Sequence, residues 1–261
     1  MRGTVGRRLG SPLVFSRFIV VLGITFLFPD VRGQSPQQFE VAVIRPNLSG
    51  AAAGTSFNVF EGGRVRILNE PVKLLIRVAF QLQNAQITGG PAWLDSDRYD
   101  LEAKTGRKEK PGPAEMAPLV QNFLADRLHL EVHREMRELT VSALVSEKNQ
   151  KGKPKLKKSE AEQAAMNTHG GPGKSQLVGV AVSMEALALY VGNRLGRIVV
   201  NQTGLADTYD FTLEWSPDEA ADSPAPSLVT AVREQLGLKL ESQKSSVEVL
   251  VIDNIQRPSE N

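Results

Sequence analysis

Apolar and polar positions alternate with a period of two in several short runs, the mark of strands with one buried face. Phe39 to Pro46 alternates and stops at proline. Thr55 to Phe60 and Arg64 to Leu68 flank Glu61-Gly62-Gly63, which predicts a hairpin. Tyr99, Leu101 and Ala103 share one face of a run whose other face is Asp100, Glu102 and Lys104. Tyr209, Phe211, Leu213 and Trp215 oppose Asp210, Thr212 and Glu214 in the same way. Leu128 to His133, Glu138 to Glu147, Gln176 to Val182, Ile198 to Val200, Leu238 to Ser242 and Val247 to Ile255 complete the predicted strands.

Between them the period changes to that of helices. Val72, Leu75, Ala79 and Leu82 recur at helical spacing after Pro71. A second helix is expected from about Met116 to Leu124. Ser183 and Gly196 bracket a third, carrying Leu187, Val191 and Leu195. Ser227 and Gly237 bracket a fourth, carrying Leu228, Val229, Val232 and Leu236.

The stretch from Ile87 to Lys104 is echoed in shorter form from Ile198 to Trp215: an apolar start, a glycine turn, then Tyr-Asp opening a strand. Leu128, Leu130 and Val132 align with Leu236, Leu238 and Leu240 at one offset, 108 residues. Leu139, Val141 and Ala143 align with Val247, Val249 and Val251 at that same offset. The fold class expected is α+β: two related β-α-β-β-α-β-β units, mostly antiparallel sheets with helices packed on one face. The expected organisation is a signal peptide over 1–33, a first unit with N-terminal strand and hairpin over 34–147, a Lys/Gly-rich linker or loop over 148–174, and a second unit over 175–261.

The N-terminus is basic, with Arg2, Arg7, Arg8 and Arg17, then apolar from Phe18 to Phe28, then small residues before Gln34. That order predicts an export signal, with an uncleaved membrane anchor as the alternative. Five of the 31 basic residues and one of the 29 acidic ones lie in 1–33, leaving 26 against 28. The mature charge of −2 offers nucleic acid no attraction. The absence of cysteine excludes disulfides, thiolate metal sites and a cysteine nucleophile. It favours a bacterial periplasmic or extracellular protein over a stapled secreted domain. No second apolar run approaches membrane-spanning length.

On Phe39–Asn47, Gly89–Asp100, Leu124–Leu128, Val132–Glu135, Thr203–Leu205, Tyr209–Pro217 and the Ser259-Glu-Asn261 ending, the chain resembles an uncharacterised family of exported bacterial proteins termed "soil-associated". The resemblance implies export and a shared fold, and carries over no catalytic residue. Related domains accompany sensor peptidases of the β-lactam-receptor type, whose His-Glu-x-x-His motif this chain lacks. The β-α-β-β succession is also similar to the short interaction domain of secretins and TonB-dependent receptors, an analogy of fold alone.

Candidate chemistry is sparse. There is no Gly-x-Ser-x-Gly elbow. His129, Glu131 and His133 alternate on one expected strand, but the two histidines would stand about 13 Å apart at ~3.3 Å per residue, too far for one ion. Gly170 to Ser175 imitates a phosphate loop without its first glycine or its preceding strand. Asp95, Asp97 and Asp100 resemble the start of a calcium loop that lacks its glycine and distal glutamate. Trp93, beside them, fits either the core or a contact surface. Trp93, Asp95, Asp97 and Asp100 are thus the candidate binding residues; no catalytic residue, metal site or cofactor is assigned. The reading is a non-enzymatic module binding an envelope protein or a cell-wall component, by strand addition among other modes. The alternatives are an envelope hydrolase using carboxylates, or a small-ligand sensor domain.

Overall fold

A computed structural model describes residues 38–50, 52–147, 156–171, 173–217 and 225–259. The expected export signal lies outside them. Residues 36–261 form one compact unit.

The elements run β1 (Val41–Pro46), β2 (Ser56–Phe60), β3 (Arg64–Pro71), α1 (Val72–Phe80), β4 (Ile87–Gly89), α2 (Trp93–Ser96), β5 (Arg98–Lys104), α3 (Pro113–Leu128), β6 (Glu131–Ser146), β7 (Lys157–Lys158), β8 (Ala165–Gly171), β9 (Lys174–Val182), α4 (Met184–Leu195), β10 (Val199–Asn201), β11 (Tyr209–Trp215), α5 (Leu228–Leu236) and β12 (Leu238–Asn254). The class is α+β, with sheets that are mostly antiparallel.

Three four-stranded sheets result. The first has the order β1-β5-β3-β2, the central one β10-β6-β12-β4, and the third β7-β11-β9-β8. The first sheet packs its Ile44, Val65, Ile67, Tyr99 and Leu101 against α1, α3 and the end of β12 (Leu250, Ile252). The third packs Leu177, Phe211, Leu213 and Trp215 against α4, α5, the start of β12 (Leu238) and Leu144 of β6. Each long central strand therefore feeds the core of the opposite half.

The short strands are exchanged as well. β4 pairs parallel with β12 at Ile87–Leu250, and β10 pairs parallel with β6 at Val199–Ser142. Ser142 and Leu250 stand 108 residues apart, the offset seen in the sequence. One amide ties the exchange together. Gln83 donates from Nε2 to the Val199 carbonyl at 2.7 Å and accepts the Val199 N–H at Oε1, also at 2.7 Å, all buried. Gly192 makes room for it, since a Cβ there would lie 1.7 Å from Gln83 Oε1.

Three expectations need correction. Leu128–His133 and Glu138–Glu147 are not two strands but the single β6, and Leu238–Ser242 and Val247–Ile255 likewise merge into β12. The element order is thus β-α-β-β-α-β over β9 to β12, and the same over β3 to β6 with α2 added. The ladder between β6 and β12 runs unbroken through Arg134–Arg137 and Gln243–Ser246, where most side chains are exposed. Backbone pairing carries the strands where no apolar alternation marks them. Second, the expected linker contains β7 and the fully exposed strand β8, paired to β9. Third, α3 extends from Pro113 to Leu128, so His129 is its left-handed C-cap (φ 50°) and not a strand residue.

Candidate functional site

The Tyr-Asp pairs explain themselves first. Tyr99 and Tyr209 are buried. The aspartates that follow each secure a kink in the neighbouring strand. Asn69 (φ 55°) in β3 and Ala181 (φ 50°) in β9 take left-handed conformations where the registers of β3–β5 and β9–β11 slip. The Asn69 N–H donates to Asp100 Oδ1 at 2.8 Å, and the Ala181 N–H donates to Asp210 Oδ1 at 2.9 Å. A bulge leaves a backbone donor without a ladder partner, and the carboxylate supplies one. Asp210 is held below the usual carboxylate range, first by a hydrogen bond from Ser159 and then by the Ala181 N–H.

The Gly89–Asp100 turn is equally engaged. Gly89 and Gly90 both have positive φ, and a Cβ on Gly90 would lie 2.6 Å from the Leu94 side chain. This sharp turn delivers Trp93 into the core, 8 % exposed, edge-on to Tyr99. Arg257 closes the turn from the far end of the chain. Its guanidinium lies 5.5 Å from the Trp93 ring and donates to Asp97 Oδ2 at 3.0 Å. Burial, followed by the charge of Asp97, raises the Tyr99 hydroxyl above its ordinary value, while Arg257 opposes that rise. Asp95 pairs with Lys73 at 3.0 Å. Asp100 accepts from Asn47 Nδ2 at 2.8 Å as well as from Asn69. The three carboxylates thus turn to separate partners. Arg257 carries no sequence signal, since it acts across 160 positions.

The histidines also divide. His133 Nδ1 meets Asp253 at 2.8 Å on the solvent side of the central sheet, and the hydrogen bond to Asp253 raises its pKa. His169 stands on β8. No group of three metal-ligating side chains converges among the described residues. Gly170 and Gly171 end β8 and Lys174 and Ser175 open β9, so the phosphate-loop lookalike joins two strands and precedes no helix.

The open ground lies on the outer face of the first sheet. There β1, β5, β3 and β2 contribute the rows Val41, Lys104, Arg64, Phe60 and Val43, Glu102, Arg66, Asn58. The face curves around a concavity of about 540 Å³ lined by Val41, Val43, Phe60, Arg64, Arg66 and Lys104 among others. Val41 is 57 % exposed and Phe60 39 %. Arg64 lies 5.3 Å from the Phe60 ring, while Arg66 pairs with Glu102 and Lys104 with Glu40. A smaller concavity continues past Arg45, Leu68 and Asp100. Sequence reading missed this face because its exposed residues look like the ordinary outer side of strands.

The chain belongs to a protein family of unknown function, DUF3738, which matches residues 73–255. The match runs from α1 to the end of β12 and leaves out β1, β2 and β3. No curated protein and no solved structure matches the chain.

Proposed function

We propose that the protein is a non-enzymatic binding module, and that the outer face of the first sheet receives its partner. The partner chemistry it fits is an acidic polypeptide segment carrying apolar side chains. The observation that supports this is the concave face itself, where Phe60 and Val41 stand exposed beside Arg45, Arg64, Arg66 and Lys104. Exposed aromatic and arginine side chains are the residues that anchor interfaces. Glu102 pairs with Arg66, Glu40 with Lys104, and Asp100 accepts from Asn47 and Asn69, which leaves Arg45 and Arg64 without an acidic partner among the described residues. The face thus keeps a net positive character, and carboxylates are its natural counterpart.

The setting we propose is the bacterial envelope, on the basic-then-apolar N-terminus and the absence of cysteine. The test is a crosslinked pull-down from envelope extract. Wild type is compared with a Phe60→Ala/Arg64→Glu variant and with Trp93→Ala. The expected result is a partner retained by wild type, recovered at least tenfold less by the double variant, and weakened by added salt. Equal recovery by wild type and the double variant would remove the contact from this face. Loss with Trp93→Ala alone would move it to the Gly89–Asp100 turn.

A further inference from the structure

Sheet edges expose backbone donors and acceptors, and proteins blunt them with charge, proline, bulges or shortness. Most outer edges of this molecule are blunted. β1 carries Arg45 and ends in Pro46; β7 is two lysines; β4 and β10 have three residues each. β8 is different. It is the edge strand of the third sheet, with seven residues, Ala165-Met-Asn-Thr-His-Gly-Gly171, every one exposed. None is charged and none is proline. Its register with β9 is unbroken from Ala165 to Gly171, so no bulge turns the edge aside.

We propose that this edge pairs antiparallel with the same edge of a second copy, centred on Thr168, joining two four-stranded sheets into one of eight. The strand is self-complementary in that register. Asn167 faces His169 of the second copy and Ala165 faces Gly171. Met166, 39 % exposed, faces Gly170, which leaves the methionine space. No like charges meet anywhere along β8. An isologous pairing forms each of these three facing contacts twice. Of the other edge strands free of charge and proline, β4 and β10 have three residues each and β2 has five, against seven in β8.

Asn167 and His169 lie opposite Val178 and Gln176 on the outer face of the sheet, while Thr168 on the inner face meets the Tyr190 hydroxyl. They can therefore be changed without touching the core. Sedimentation velocity on the purified protein, across a concentration series, reads the assembly. Wild type is expected to show a concentration-dependent dimer. Asn167→Lys/His169→Lys and Asn167→Glu/His169→Glu each set like charges face to face, which opposes pairing, and each is expected to weaken the dimer at least tenfold. Mixing the two in equal amounts restores it. Asn167→Glu/His169→Lys, changed at the same positions but self-complementary, dimerises at least as tightly as wild type and guards against simple misfolding. A wild type that stays monomeric at the highest concentration overturns the proposal. So does a dimer that survives both like-charge variants, or one that fails to return on mixing.

Discussion

The two halves of the molecule solve the same problem with the same parts, and they differ where the fold makes no demand. β3 to β6 and β9 to β12 share an element order apart from the one-turn α2. Each half has a bulge satisfied by an aspartate, and each last helix ends on a left-handed residue, His129 in one and Gly237 in the other. Their outer sheet faces do not match. Arg64 opposite Lys104 in the first half corresponds by register to Gln176 opposite Glu214 in the second. Arg66 opposite Glu102 corresponds to Val178 opposite Thr212. The second half folds without cations at these places. Arg64, which has no acidic partner among the described residues, is therefore available for something other than folding, which is the argument for a partner there.

The largest effect is expected where the halves lock together asymmetrically. Gln83 reaches from the first half to both backbone groups of Val199; the residue of corresponding register in the second half is Leu195, which has no amide to return the bond. Gln83→Ala strands a buried N–H and C=O and should cost about 2–3 kcal/mol in urea unfolding, the usual penalty for buried unsatisfied groups. Gly192→Ala should cost a similar amount by displacing the same amide. The double variant should then cost much less than the two added together, because the amide is lost only once. Some cost remains, since the new Cβ also meets the Arg197 carbonyl at 2.9 Å. Additive costs would show that Gln83 does not hold the halves.

A smaller effect tests whether the halves share a packing plan. Ile67 faces Leu101 in the first sheet; at the corresponding place in the third, Gly179 faces Phe211. Volume has moved across the pair. A Cβ on Gly179 would lie 2.7 Å from the Phe211 ring tip. Gly179→Ala should cost about 1–3 kcal/mol, as overpacked cores do. Adding Phe211→Leu should recover most of that in thermal unfolding, since it rebuilds the first half's arrangement. No recovery would mean that the two pairs occupy different surroundings despite their common register.

Much of this plan was legible in the residues, for reasons that can be named. Ser183 and Ser227 accept from the Ala186 and Thr230 N–H groups, and Gly196 and Gly237 close the helices, because capping is local and written in a few adjacent positions. The alternating strands were readable because one face of each is buried. β8 and the middle of the β6–β12 ribbon were not, because exposed strands leave no apolar rhythm and exist through pairing with distant residues. The candidate site divides along the same line. Asp100 was singled out with Asp95 and Asp97 as part of a calcium-loop lookalike, but its role follows from Asn69, a kink 31 positions away. Trp93 could be placed in the core or at a surface only once Arg257 was seen above it.

The smallest effect concerns the bulge carboxylate of the second half. Asp210 has a folded pKa below the ordinary value, chiefly through Ser159 and then through the Ala181 N–H. A depressed acid stabilises the fold above its unfolded pKa, and that contribution is lost as pH falls through the folded one. Carboxyl-carbon NMR should place the Asp210 midpoint below the usual aspartate range. Ser159→Ala removes the larger cause and should raise the midpoint, leaving the Ala181 bond in place. The acid limb of the stability curve should move to higher pH with it. Should the midpoint stay where it was, the backbone bond alone sets the charge of Asp210. The two halves would then share not only the bulge but the means of securing it, a backbone N–H held by one carboxylate, with Ser159 an ornament of the second half rather than part of the plan.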